Sequence, residues 1–419
     1  MGVPADLTGF SDGEFEHEIL TLRAGRWAVE ALAVSEEEAT ETAKRLVTVS
    51  GVDSVQVVSV RRNRLGVVSR TEMLTLTAPP RSDVPTVRPA GQARVCATPE
   101  DLVGLEGRLI LGRVLRAYFE RHRLTAVEQL HGWRAIRRLR DGGSLLVGAV
   151  HQVARAQAGR DGSSRIREAE LHRMLEGIEQ RARDFMAVRR PPRLDPADPE
   201  IAARRLRAEF GDEEAMFWGA RSTVANWVSD MTSVDAKAMA AANLLASGAG
   251  PFEEATGALL ADAISDPGVL REALGRHWNL GSCLCTLAGF LSGRREPPTP
   301  LLALTGRLIT EGKAREARLA LIERLVAEIA RDHPLDKHDT GREETRLHEL
   351  VEYMITADGQ LIGGGAAEAV LAKRMVRARI TRLRGMGLHA AADQVPRNYT
   401  PDVEGLVKRT RARVCQPPA

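Results

Sequence analysis

The stretch REETRLHELVEYMITADGQLIGGGAAEAVLAKRMVRARITRLRGM, residues 342–386, decides the fold class. In its first half Leu347, Leu350, Val351, Met354 and Ile355 recur at three- and four-residue steps, which places them on one face of an α-helix. Glu344, His348 and Glu352 take the other face. Gly359 stops this helix, because glycine just past a periodic run readily adopts a left-handed cap. After Gly363-Gly364-Gly365 a second helix opens with Ala369, Ala372, Val376, Ile380 and Leu383 on one stripe, flanked by Lys373, Arg374, Arg377, Arg379, Arg382 and Arg384. An acidic helix followed at short range by a basic one predicts a packed antiparallel hairpin.

Outward from this hairpin, the rest of the chain reads as helix as far back as residue 98. Ala and Leu dominate a hydrophobic content of 43%, while aromatics make up only 4%, and this balance favours helix. A length of 419 residues exceeds one ordinary core. The net charge of +3 is small beside 59 basic and 56 acidic residues, so the molecule as a whole is not a polycation. Lysine occurs only at positions 44, 237, 313, 337, 373 and 408, and the arginine and alanine bias has the look of a GC-rich bacterial genome. Cys96, Cys283, Cys285 and Cys415 are too few and too irregular for a disulfide framework, so a reducing cytoplasm is the expected location. Residues 1–10 lack a basic run and an apolar core, and no stretch approaches the roughly eighteen apolar residues of a spanning helix, so neither export nor a membrane span is expected.

Residues 14–77 differ from everything after them. Strands are expected at 15–22 and 27–31 around a turn at Ala24-Gly25-Arg26. Ser35-Glu36-Glu37-Glu38 matches a capping box opening a helix that carries Ala39, Ala43, Leu46 and Val47 and ends at Gly51. Two further strands, 55–60 and 66–76, flank a polar turn at Arg61-Arg62-Asn63-Arg64. The expectation is an α+β module of ββαββ order at 1–78, followed by a Pro-rich linker at 79–97. Thr98-Pro99-Glu100-Asp101 then restarts the chain as a helix N-terminus.

Helical runs follow at 105–121, 126–139, 145–156 and 166–187, and four prolines within 190–199 interrupt them. More runs occupy 201–209, 213–228, 236–246, 253–263, 269–277 and 283–291, and after Pro298 and Pro300 come 302–309 and 314–331. These patterns predict a first helical unit at 98–189, a linker at 190–199, a second unit at 200–333, and a C-terminal acidic/basic hairpin with a basic tail at 334–419. No repeat period survives counting, so the helical part is expected to be an irregular helical-hairpin or superhelical stack.

Several clusters could carry chemistry. His338-Asp339, between His333 and His348, resembles the His-Asp pairs with which HD-type phosphohydrolases hold a divalent ion. Those enzymes gather further ligands from distant helices, whereas this pair runs into Thr340-Gly341, where Asp339 or Thr340 capping the next helix is the preferred reading. Cys283 and Cys285 point to different sides of one helix and read as small buried residues. Gly363-Gly364-Gly365 lacks the Lys-Ser/Thr ending of a phosphate loop. Serines beside glycines, such as Ser163 and Ser282, do not sit in a nucleophile elbow. No catalytic residue, metal ligand or cofactor site is therefore assigned.

Met216, Phe217, Trp218, Val224 and Trp227 form the densest aromatic patch, read as core with Trp218 and Trp227 as possible partner anchors. Residues 366–419 hold eleven basic side chains, among them Lys373, Arg374, Arg377, Arg384, Lys408, Arg409 and Arg411, against four acidic ones, a net of +7. Such asymmetry suits an acidic partner or the acidic helix of the hairpin itself. The leading functional expectation is a non-enzymatic scaffold or adaptor with a protein partner. The alternatives are nucleic-acid binding through the basic C-terminal helices, which would be salt-sensitive, and an HD-type metal hydrolase using His333, His338, Asp339 and His348.

Overall fold

The computed structural model describes residues 16–23, 26–47, 52–62, 68–77, 86–91, 93–158, 162–186, 192–209, 211–337 and 340–414. The chain divides into two compact units, Met1–Val84 and Pro85–Ala419.

In the first unit β1 (Glu16–Arg23), β2 (Arg26–Ala33), β3 (Ser54–Arg62) and β4 (Val68–Thr77) form an antiparallel sheet in the order β2-β1-β3-β4. The pleat sorts the side chains: His17, Ile19 and Thr21 are buried while Glu18, Leu20 and Leu22, alternating with them, are only half-buried. Helix α1 (Glu36–Leu46) covers one face, and its Ala39 and Ala43 close a small core with Ile19, Ala33, Val52, Val55 and Val57. Ser35 Oγ accepts from the Glu38 amide at 3.2 Å, while the Glu38 carboxylate accepts from Val34 N and not from Ser35 N, so the expected box is displaced by one residue. Arg61 and Arg62 continue strand β3 and are not part of a turn; the strand pairs as far as Arg62 with Val68. The turn at Ala24-Gly25, the helix end at Gly51, and Asn63 and Arg64 lie outside the described residues.

The second unit has helices as its regular elements among the described residues, with one isolated antiparallel bridge between Ile355 and Leu361. Its elements are α2 (Pro99–Val103), α3 (Leu105–Val114), α4 (Arg116–His122), α5 (Ala126–His131), α6 (Trp133–Asp141), α7 (Ser144–Ala158), α8 (Ser164–Asp184), α9 (Pro199–Glu209) and α10 (Glu213–Val228). These are followed by α11 (Val234–Ser247), α12 (Glu253–Ser265), α13 (Pro267–Leu274), α14 (Leu280–Leu291), α15 (Pro300–Thr310), α16 (Arg315–Ala330), α17 (Glu343–Met354), α18 (Gly364–Gly385), α19 (His389–Asn398) and α20 (Val403–Val414). Thr98 and Asp101 form the capping box that opens α2. The runs read as single helices at 105–121 and 126–139 are each two, broken at Leu115 and at Gly132, which leaves the helical region of backbone space.

Helix α12 lies at the centre. After the exposed Glu253 and Glu254 of its first turn, Thr256, Ala258, Leu259, Leu260, Ala261, Ala263 and Ile264 are all buried, and α3, α5, α10, α11, α13 and α16 pack around it. The main core extends from Phe185 to Val407 and includes Leu194, in the middle of the proline-rich stretch.

In the C-terminal hairpin, Leu347, Leu350, Val351 and Met354 face inward as their spacing predicts. On α18 the buried stripe is Ala367, Leu371, Arg374 and Ala378, whereas Ala369 of the expected stripe is exposed and Ala372, Val376, Ile380 and Leu383 are half-buried. The rotation follows from Arg374, which turns inward because Glu343 neutralises it. Gly363 caps α18 with φ 85°, and a Cβ there would come within 2.8 Å of Val326 on α16. The triple glycine thus meets a packing need at its first position.

Because the small sheet and α1 bury their own core, residues 1–84 expressed alone are expected to show a cooperative thermal transition by circular dichroism.

Candidate functional site

Helix α5 is six residues long and every one of them is buried, although Glu128, Gln129 and His131 are polar. Each of these three has a different surrounding. Glu128 caps the helix, accepting from the Thr125 amide at 2.9 Å, and its two oxygens receive Lys237 Nζ at 2.7 and 2.8 Å. Lys237 also donates to the carbonyl of Arg123 at 2.6 Å, steadying a residue whose φ of 54° is in the left-handed region. His131 stands 5.4 Å from the Trp218 ring, and neither His131 Nε2 nor Trp218 Nε1 has a hydrogen-bond partner among the described residues.

Gln129 faces a cavity. A cavity of about 100 Å³, open to solvent on one side, lies between α3 and α5–α8, with Leu102 of α2 and Cys96 at its margin. Ile110, Leu111 and Val114 come from α3, Leu130 from α5, Ile136 and Leu139 from α6, Leu146, Ala149, Val150 and Val153 from α7, and Leu171, Leu175 and Ile178 from α8. Around this space the buried apolar side chains gather in three groups, one with Val114, one with Leu130 and one with Val150. Leu102, Leu111, Leu146, Val153 and Leu175 each belong to the edge of two of them, which makes them the ring around the void.

Polar groups on the cavity wall are few. At one end the Gln157 amide is fully used: it donates to Arg94 O at 2.5 Å and accepts from Arg167 Nε at 2.7 Å. Burial pushes the neighbouring Cys96 thiol up, opposed by a hydrogen bond from Gln157. At the other end Glu179 is paired with Arg140 and with Arg183, the latter at 3.0 Å. Gln129 is 5% exposed; its Nε2 donates to Ala135 O at 3.3 Å, and its Oε1 has no partner among the described residues.

Behind the cavity, Arg108 on α3 is 1% exposed and donates to Asp262 at 2.8 Å, to Glu316 at 2.5 Å and to Val103 O at 2.6 Å. Burial opposes its charge, but the two carboxylates outweigh that and raise its pKa above the ordinary arginine value. Arg221 is also buried, lying 3.5 Å from the Phe217 ring centroid and donating to Glu254 at 2.8 Å.

Of the residues singled out in the sequence, Trp218 packs with Leu130 beside the cavity, Arg374 and Arg377 share the carbonyl of Arg331, and the others are spread over the second unit. Trp218 is buried, 7% exposed, with Arg181 stacked 4.6 Å from its ring, and Trp227 is half-buried against the main core. Arg374 is 2% exposed and holds Glu343 at 2.7 Å together with the carbonyls of Ile329, Arg331 and His333. Arg377 pairs with Asp332, Arg384 with Asp393, Lys408 with Glu404 and Arg409 with Asp402. Lys373 and Arg411 are exposed, the stem of Arg411 passing over Gly359. Arg382 and Arg413 reach Glu344 and Glu352 on the acidic helix α17. His333 and His348 are both exposed, whereas His338, Asp339 and Cys415 lie outside the described residues. Among the described residues no three His, Cys, Asp or Glu side chains gather as metal ligands, and no helix is long and apolar enough to cross a membrane. Cys283 and Cys285 lie on α14, and burial raises the Cys285 thiol to about 11, away from reactivity.

Sequence reasoning read 126–139 as one helix and so missed the break after α5 and the burial of Gln129. The available signal was Thr125-x-x-Glu128, a capping box around a very short polar helix. No protein-family model, curated protein or solved structure matches the chain.

His131 gives the site a pH signature. Burial holds its imidazole well below the ordinary value of 6.5, with the charges of Arg221 and Arg108 adding to the effect. Below about pH 6.5 the unfolded chain therefore binds a proton that the folded one refuses, so stability is full above that pH and lost as pH falls. Relative to a His131→Phe variant, the wild type is expected to lose up to about 1.4 kcal/mol per pH unit between pH 6.5 and 5, read from urea unfolding.

Proposed function

We propose that the protein is a binding protein for an apolar small molecule, which the helical unit takes up in the cavity between α3 and α5–α8. The observation that carries this reading is the cavity itself, whose lining of Ile110, Leu130, Leu139, Val150 and Leu171 is interrupted by few polar groups. Protein interiors are normally packed to crystal density, and a lining with nothing opposite it forfeits dispersion contacts. An aliphatic void is a poor place for water, which needs two to four polar partners, and a good one for an apolar guest. The apolar walls with sparse polar groups suit a small-molecule site, in which a few polar atoms set orientation.

A second reading, an adaptor with a protein partner, has one observation in its favour. Trp278, between α13 and α14, is 97% exposed, and tryptophan is a common anchor at interfaces. Pull-down with and without a Trp278→Ala substitution tests it, with loss of a stoichiometric partner the supporting result.

The cavity reading is tested by filling the void. Val153→Phe places a ring where Val153 bridges two clusters. A fluorescent apolar probe such as 1-aminoanthracene is expected to lose affinity at least about tenfold, while the thermal midpoint stays equal or rises because the ring gains contacts that the void denied. Unchanged probe binding would place the guest somewhere else.

A further inference from the structure

The cavity between α3 and α5–α8 has one charged rim. Among the described residues that line it Arg140 alone is exposed, its side chain 60% accessible, so the open side lies at the C-terminal end of α6. The opposite end, at Cys96 and Gln157, is buried. At the open side two guanidinium groups meet one carboxylate. Arg140 and Arg183 both donate to the same oxygen of Glu179, which leaves a surplus of one positive charge. Asp141, next along the chain, does not remove that surplus, since it faces Arg137 at 3.7 Å. Arg183 is held further by the Trp133 ring, whose centroid lies 5.2 Å away, whereas Nη1 is the one nitrogen of Arg140 with a hydrogen-bond partner among the described residues.

Building on the cavity reading above, we propose that the guest is a short amphipathic monoanion: a hydrocarbon body that enters the aliphatic walls and one carboxylate that stays at the rim on Arg140. An arginine presents paired N–H donors whose spacing matches a carboxylate, and the uncommitted edge of Arg140 supplies them. A carboxylate at an exposed rim keeps part of its hydration, so no charge has to cross into the aliphatic interior, where its transfer is far costlier than that of a hydroxyl. Each alternative headgroup fits less well. An alcohol matches the walls but leaves the surplus charge to water. An ammonium would set a third cation beside two guanidinium groups whose one carboxylate is already shared. A phosphate monoester carries about −1.5 to −2 at neutral pH, and its second charge would face Glu179 with no cation left to balance it.

The test is a matched series measured by calorimetry on the full chain at neutral pH: hexanoate, hexyl phosphate, 1-hexanol and hexylammonium. The expected order places hexanoate first, about tenfold tighter than 1-hexanol, the value of one hydrogen bond to a charged group, with hexylammonium weakest. Arg140→Gln is expected to bring hexanoate down to the affinity of 1-hexanol while leaving 1-hexanol unchanged, and that unchanged binding shows that the variant is folded. Val153→Phe, which fills the cavity, is expected to weaken both. Equal wild-type affinity for hexanoate and 1-hexanol would overturn the carboxylate assignment and leave the cavity reading standing. Tighter binding of hexyl phosphate or of hexylammonium would overturn it in favour of that headgroup, the latter with Glu179 as its partner. Hexanoate binding that Val153→Phe leaves unchanged would place the anion on the exposed arginines of α6 and overturn the proposal. No binding by any of the four would overturn both readings.

Discussion

The helical unit depends on keeping the Arg108 guanidinium charged in a place from which water is excluded. Two carboxylates and one carbonyl surround it, joining α3 to Asp262 on the central helix α12 and to Glu316 on α16. Such a pair adds little net energy compared with a well-packed apolar substitute, but removing one partner strands the other, at a cost of about 3–5 kcal/mol. Its value lies in permitting one arrangement of three helices and penalising others.

The same device recurs twice. Lys237 on α11 meets Glu128 on α5, and Arg374 on α18 meets Glu343 on α17. In all three cases the cation also takes carbonyls at the end of a helix: Val103 closes α2, Arg123 closes α4, and Ile329 and Arg331 lie at the end of α16. Helix C-termini leave their last carbonyls without intrahelical partners, and inside a packed tract water cannot supply them. One buried basic side chain therefore meets two needs, capping a helix and choosing its neighbour. Two of the three clamps also hold cavity walls. Helix α3 carries Arg108 on one side and Ile110, Leu111 and Val114 on another, and α5 carries both Glu128 and Gln129. Walls fixed from behind have less freedom to collapse into the space between them.

This explains what could be read in the sequence and what could not. Local signals were legible: the Thr98 cap, the strand at 15–22 and the inward face of α17 all depend on residues close to each other along the chain. The face of α18 was not, since a stripe of Ala, Val and Ile looks apolar by spacing until Glu343 gives Arg374 a reason to turn inward. Gln129 and Lys237 were invisible for the same reason. Lys237 and Glu128 are 109 residues apart, and no periodicity within either helix records that they meet. The cavity was still less accessible, because it is a property of what five helices fail to fill.

The distance along the chain between Arg108 and its partners has a consequence for synthesis. Asp262 lies 154 residues later and Glu316 lies 208 later. At about 5–20 residues per second, roughly 10–40 s separate the translation of Arg108 from that of Glu316. Throughout that interval the guanidinium belongs in water, and α3 cannot settle into its final place. The segment that will enclose the cavity therefore waits on the ribosome in an open form, with its aliphatic faces uncovered, until the second half of the tract arrives to lock it.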